Sequence, residues 1–184
     1  MKHLGTRTLE SERLILRKFT LDDAHAMYEN WANDSDVTKY LMWKTHENVD
    51  ASKDIISEWI SKYCNDDFYL WAIVLKDGNV PVGSIGVVDK NDAVEMVHIG
   101  YCIGKRWWNK GIVSEAFSAV IAYLFDDVGV NRIESRHDPN NPASGKVMLK
   151  CGLKYEGTQC EADYNNQGIC DAAMYAVLAK EWRA

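Results

Sequence analysis

VEMVHIGYCIGKRWWNKGIVSEAFSAVIAYLF, residues 94–125, changes character half-way along. Residues 94–103 are an apolar run of strand length, which breaks into Lys105-Arg106-Trp107-Trp108-Asn109-Lys110-Gly111. Beyond Gly111, residues Ala116, Phe117, Val120, Ile121, Leu124 and Phe125 recur at the spacing of one helix face. The stretch reads as a strand, a basic glycine-bearing turn and a helix N-terminus. At such a junction the first N–H groups of the helix have no intrahelical partner, and the positive end of the helix dipole lies beside them. That suits a phosphate or pyrophosphate. The turn has neither the G-x-x-x-x-G-K-S/T spacing of an NTP-binding loop nor the G-x-G-x-x-G of a dinucleotide fold. Another pyrophosphate carrier is required.

On either side of this junction, helical and strand patterns alternate. Leu14 and Leu16 mark a first strand, and Thr20-x-x-Asp23 resembles a capping box that opens a helix through Met27 and Trp31. A second helix is predicted over residues 49–63, with Ile55, Ile56, Trp59, Ile60 and Tyr63 on one face. Residues 69–75 and 80–88 read as strands joined around Asp77-Gly78. The helix after Gly111 is expected to stop at Gly129. A strand over 132–137, a helix over 142–151 and a terminal hairpin of 153–161 with 170–178, turning at Asn165-Asn166-Gln167-Gly168, complete the chain. The predicted class is α+β with a mixed, mostly antiparallel sheet.

With 184 residues and 47% hydrophobic content, the chain suits one well-buried core, so a single domain over residues 1–184 is expected. A net charge of −6 argues against general nucleic-acid binding and mildly favours cationic amine substrates. The N-terminus lacks an apolar signal-like core, and no stretch approaches the roughly 18 apolar residues of a membrane span. No membrane partner and a cytoplasmic location are therefore expected. The five cysteines include no C-x-x-C pair, so neither a disulfide framework nor a metal site is indicated.

Trp108-Asn109-Lys110-Gly111-Ile112-Val113-Ser114-Glu115-Ala116 resembles the acetyl-CoA motif of the GNAT N-acetyltransferases, in the form W-G-K-G-Y-A-S/T-E-A of the RimJ/RimL-type branch, whose members act on ribosomal-protein N-termini. Further landmarks of that branch occur in order: Glu12-Arg13-Leu14-Ile15-Leu16-Arg17, Ile99-Gly100-Tyr101, Asn141-Pro142-Ala143-Ser144, Gly152-Leu153 and Met174-Tyr175-Ala176-Val177-Leu178. The resemblance covers nearly the whole chain. It implies an acyl-CoA N-acyltransferase fold whose sheet is splayed at its centre and flanked by helices, with acetyl-CoA as cosubstrate lying between strands 94–103 and 132–137. On this reading the cosubstrate is held by Tyr101, Cys102 and Ile103, by Trp108, Asn109, Lys110, Gly111, Ile112, Val113 and Ser114, and by Asn141, Ser144 and Lys150. A backbone N–H near Tyr101 or Cys102 is expected to face the thioester oxygen. Asn109 and Val113 depart from the pattern, standing where small residues are usual, and Val113 either crowds the pyrophosphate or packs its helix.

An ammonium has no lone pair, so attack on a thioester requires a route for proton removal. The tyrosine acid of many relatives is replaced by Met148. The resemblance instead offers Ser144 as a sulfur-side donor and Asp163 as a carboxylate in the terminal hairpin; the alternatives are a helix-cap or first-turn hydroxyl and a solvated carboxylate. His98 stands where many relatives carry glutamate, and imidazole exchanges protons near neutrality, although a strand histidine also packs. Glu95 lies on the opposite strand face by alternation. Trp31, Tyr40, Trp43, Tyr69 and Trp71 are candidates for the acceptor cleft or for the core. Asp34, Asp36, Asp66 and Asp67 either select a cation or solvate turns. The expected activity is direct acetyl transfer to a primary amine, foremost a peptide or protein N-terminal α-amine, by a monomer or homodimer. The alternatives are a polyamine or aminoglycoside acceptor, or a non-catalytic acyl-CoA-binding module.

Overall fold

A computed structural model describes residues 1–182. Among them eight strands form one sheet: β1 (Leu9–Glu10), β2 (Leu14–Arg17), β3 (Leu70–Leu75), β4 (Val80–Asn91), β5 (Met96–Ile103), β6 (Arg132–His137), β7 (Lys154–Asn165) and β8 (Gly168–Leu178). Their order is β1-β2-β3-β4-β5-β6-β8-β7, and every neighbouring pair is antiparallel except β5 and β6. The helices are α1 (Ala24–Met27), α2 (Ser35–Thr38), α3 (Val49–Lys62), α4 (Ile112–Tyr123), α5 (Pro142–Lys150) and α6 (Ala179–Trp182). This is the expected α+β class. No helix among the described residues is long and apolar enough to cross a membrane.

The sheet is covered on both faces, which is why β3 is apolar at every position. Trp71 and Ile73 join Leu14 and Leu16 under α4, where Phe117, Val120 and Ile121 are buried. Ala72 and Val74 alternate to the other face and meet Met27, Trp31 and Ile56. Only Ile56 of the face predicted for α3 is fully buried, while Ile60 remains 38% exposed.

Three predicted boundaries differ. The helix expected from Thr20 through Trp31 is a composite of a 3-10 turn (Leu21–Asp23), α1 and a π-helical turn (Tyr28–Ala32). The Asp23 carboxylate starts it by accepting the Thr20 N–H at 2.8 Å, and it also takes two Arg17 N–H donors at 2.7 and 2.8 Å. The strand expected from Val94 begins at Met96, because Asp92–Val94 forms a 3-10 turn and Glu95 adopts a φ of 51°. The ladder between β7 and β8 breaks between Gln159 and Asp163, with Glu161 at a φ of 48°, and then resumes. That bulge sits where the strand was expected to end.

The parallel pair β5 and β6 bonds only at Met96–His98 against Arg132–Glu134. The strands then part. On its other side β5 pairs with β4 through a register shift between Val87 and Asp89. A Cβ at Gly100 would lie 2.8 Å from Cγ1 of Val88, so the glycine lets β5 lie close beneath the bulged residue. Bulges increase local twist, which turns β5 away while β6 stays with β8 as far as His137. The Ser135 hydroxyl donates to the Ile99 carbonyl at 2.7 Å at the point of divergence.

Candidate active site

A cavity of about 420 Å³ lies against the end of β5 that has parted from β6. β5 lines it with Tyr101, Cys102 and Ile103, the turn and the start of α4 with Trp108, Asn109, Gly111, Ile112, Val113 and Ser114, and the α5 region with Asn141, Ser144 and Lys150. Lys110 faces an adjoining shallow basin on the same loop, together with Arg13, Gly111 and Lys150. The residues predicted to hold the cosubstrate thus line two depressions that share Asn109, Gly111, Ser114 and Lys150.

The loop shape follows from two left-handed residues, Asn109 with a φ of 61° and Gly111 with a φ of 73°. Asparagine is among the few side chains that enter this region readily, so Asn109 adopts the backbone that glycine supplies in the family motif. Val113 is buried in the core cluster with Phe117, which is ordinary helix packing at the cavity border. A Cβ at Gly111 would meet nothing nearer than Nη2 of Arg13 and Nζ of Lys150, both at 3.7 Å, so the approach to the backbone is open and two cations flank it. Glu115 orients Arg13, accepting its Nε–H at 2.7 Å and its backbone N–H at 2.8 Å, as well as the Ser11 hydroxyl at 2.7 Å. Partial burial works against ionisation of Glu115, yet these bonds outweigh it and hold the carboxyl below its ordinary range.

A second cavity of about 610 Å³ adjoins the first, and Tyr101, Cys102, Asn141, Ser144, Tyr40 and Leu41 line both. At this junction the Tyr101 hydroxyl donates to the Ser144 carbonyl at 2.9 Å, and the Ser144 hydroxyl donates to the Tyr101 oxygen at 3.0 Å. Burial pushes the Tyr101 phenol far up, so it stays protonated, and burial likewise raises the Cys102 thiol. Ser144 is thus a first-turn hydroxyl of α5 joined to Tyr101, and Asn141 is the N-cap. Met148 is buried.

His98 and Asp163 both line the second cavity. His98 is only 4% exposed, and its Nδ1 faces Oε1 of Glu134 at 3.5 Å. The Oε2 atom of Glu134 accepts two Arg132 bonds at 3.1 Å each. The bond from His98, and then Arg132, hold the Glu134 carboxyl below its ordinary range despite burial. A carboxylate on Nδ1 leaves the imidazole lone pair at Nε2. Asp163 is not a freely solvated carboxylate: it accepts Nε–H and Nη2–H of Arg136 at 2.7 and 3.2 Å, and the Tyr164 N–H at 2.9 Å. Glu95 lies outside the cleft, in the turn before β5, where it pairs with the N-terminal amine of Met1.

The comparison with known proteins agrees with this geometry. Residues 13–154 match the family described as acetyltransferase (GNAT) domain. The chain belongs to that family. The uncharacterized N-acetyltransferase YoaA of Bacillus subtilis (strain 168) is 31% identical to it over 170 residues, covering 92% of this chain and 96% of the relative. The ribosomal protein uS5-alanine N-acetyltransferase of Escherichia coli (strain K12) is 32% identical over 77 residues, 40% of each chain. Among solved structures, a GNAT-family acetyltransferase from Bacillus anthracis superposes with a TM-score of 0.82 at 28% identity, covering 95% of this chain and 99% of that one. The reaction class is acetyl transfer from acetyl-CoA to an amine.

The structure divides groups of this acetyltransferase that the sequence left open between two readings. Of the five aromatics proposed for the acceptor side, Tyr40 and Trp43 line the second cavity, whereas Trp31, Tyr69 and Trp71 are buried core. Trp59 and Phe68 line it instead. Of the candidate loop carboxylates, Asp36 pairs with Lys105 at 2.5 Å, Asp67 pairs with Lys90, and Asp34 accepts the Asp36 N–H at 2.8 Å in the first turn of α2. Glu134, Arg136 and Arg13 were not anticipated as site residues. Arg13 sat in plain view within Glu12-Arg13-Leu14, but Glu134 and Arg136 gain meaning only once β6 lies beside β5 and β7.

Proposed function

We propose that this acetyltransferase acetylates the α-amine of a peptide or protein N-terminus, with His98 as proton acceptor. The observation that carries the reading is the meeting of the two cavities at Tyr101 and Ser144, with His98 lining the acceptor side alone and Glu134 behind it. Acetyl-CoA supplies an acyl group on a good thiol leaving group. The open side of β5 from Gly100 to Ile103 offers backbone groups to an amide-bearing arm. Arg13, Lys110, Lys150 and the first N–H groups of α4 suit a pyrophosphate. The N–H of Tyr101 or Cys102 faces the oxygen that gains charge. His98 Nε2 takes a proton from the incoming ammonium, and Glu134 stabilises the imidazolium so formed. Ser144 is the sulfur-side donor, its single hydroxyl hydrogen turning from the Tyr101 oxygen to the departing thiolate. Asp163, held by Arg136, shapes the acceptor wall.

A protein α-amine is favoured over a polyamine or aminoglycoside because the relative that acts on ribosomal protein uS5 shares this branch. An α-amine, with an ordinary pKa near ~8, also asks less of a base. Such a substrate places the reaction in the cytoplasm, and one chain carries every group invoked.

The test pairs the purified chain and acetyl-CoA with hexapeptides bearing free or blocked N-termini, and with spermidine and kanamycin, reading thiol release. Turnover confined to free N-termini is expected. Transfer to spermidine or kanamycin with inert peptides would replace the acceptor class, and saturable acetyl-CoA binding without turnover would make the chain an acyl-CoA-binding module.

A further inference from the structure

The segment between α2 and α3, residues 39–48, contains neither helix nor strand, yet its Tyr40, Leu41, Met42 and Trp43 wall the acceptor cavity. Its far end is tied to the helices, the His46 N–H donating to the Ala32 carbonyl at 2.8 Å, and one residue of the β7–β8 turn holds its first half. The Asn166 side-chain amide donates to the Trp43 carbonyl at 2.7 Å and to the Thr38 carbonyl at 2.9 Å, 123 and 128 residues away in the chain. Its backbone N–H donates to the Leu41 carbonyl at 3.1 Å. The turn is itself anchored, because the Asn165 amide donates to Oδ2 of Asp138 at 2.9 Å in a buried contact and the Asn165 oxygen accepts the Gln167 N–H at 2.7 Å. On the donor side, Lys105 pairs with Asp36 at the start of α2. The segment is thus strung between the basic loop and the hairpin tip, and Tyr40 and Leu41 in its middle border both cavities.

We propose that Asn166 is a specificity-determining residue: it fixes the apolar wall of residues 40–43 against the acceptor, so that amines followed by an apolar side chain are preferred over bare small amines. This rests on the acceptor reading above. An irregular loop cannot satisfy its own carbonyls by secondary structure, and a single amide NH2 group ties the Trp43 carbonyl of the loop to the Thr38 carbonyl at the end of α2. Alanine has no donor there, and aspartate sets a carboxylate against two carbonyl oxygens. An acceptor of few atoms does not reach the wall and gains nothing from it.

The experiment uses the full chain as wild type, Asn166→Ala and Asn166→Asp, with a hexapeptide beginning Ala-Phe and with ethanolamine. Steady-state kinetics with acetyl-CoA are measured, together with equilibrium binding of each amine by calorimetry in the presence of CoA. Both variants should raise KM and Kd for the hexapeptide about fivefold to tenfold, the loss of two modest hydrogen bonds, with kcat and all ethanolamine values within about twofold of wild type. An unchanged peptide-to-ethanolamine ratio overturns the proposal, as does an equal loss for both amines accompanied by a fall in kcat. A wild-type chain that binds the amines but transfers no acetyl group overturns the proposed activity, while the ratio of Kd values still reads the wall. A wild-type chain that binds neither amine overturns both.

Discussion

Replacing His98 by asparagine separates its proton-accepting role from its structural one. The imidazole directs Nδ1 at Oε1 of Glu134 across 3.5 Å, a place that the asparagine amide can largely occupy, whereas nothing replaces Nε2. Glu134 keeps its two Arg132 bonds at 3.1 Å and is not orphaned. The bond at stake is long, so it sits at the low end of the ~0.5–1.5 kcal/mol range; with the lost ring contacts of a buried side chain, the substitution costs about 1–2 kcal/mol. In a domain of this size that is a Tm loss of about 2–8 °C. A positioned base contributes about 10²–10⁴ in rate, or about 3–5 kcal/mol of barrier, so kcat should fall well beyond what destabilisation explains. Acetyl-CoA affinity should stay at the wild-type value, since His98 lines the acceptor cavity and not the donor cavity. Thiol-release kinetics, calorimetry and thermal unfolding on the same preparations read the three quantities. A kcat within about threefold of wild type, far below the loss of a general base, would refute the assignment. So would a larger kcat loss in Asp163→Asn.

Gly111→Glu should weaken acetyl-CoA binding more than about hundredfold by calorimetry, because the new carboxylate pairs with the two cations that flank the turn and strains a residue held at a φ of 73°. Retained affinity would move the pyrophosphate elsewhere. Lys150→Ala should lower acetyl-CoA affinity about threefold to tenfold and flatten its dependence on added salt, the signature of a partly solvated charge. Asp23 governs acid stability: burial alone would raise its carboxyl, but the Arg17 and Thr20 bonds outweigh burial and lower it. The folded state then binds fewer protons than the unfolded one, so this stability is present above about pH 4 and lost as pH falls through the folded value. Urea midpoints measured against pH should show a shallower acid limb and a lower neutral plateau in Asp23→Asn than in wild type, and parallel limbs would remove Asp23 from the effect.

The strand, turn and helix expected to hold the cosubstrate were legible in the sequence because their physics is local. A strand, a turn with Asn109 and Gly111 in left-handed backbone, and a helix N-terminus follow one another within residues 96–123, so composition and period read them directly. The acceptor half joins residues far apart in the chain: Glu134 to His98, Arg136 to Asp163, and Asn166 to Thr38 and Trp43. Asn166 reads in isolation as a turn residue, and Glu134 as one charge in a short strand.

The aromatics show the same limit. Trp71 and Trp59 are alike to any hydrophobic pattern, since a core and a cavity wall both favour large apolar side chains. The sheet, covered on both faces, buries Trp71 and leaves Trp59 at the cavity. Alternation along a strand tells which neighbours face opposite ways, but with both faces covered it cannot say which face meets a ligand. Element order, fold class and the basic loop were thus written in short-range pattern. The length of the parallel ladder was not, because the opening between β5 and β6 depends on the bulged Val88 packing over Gly100 and on β6 staying with β8, long-range contacts that no local period encodes.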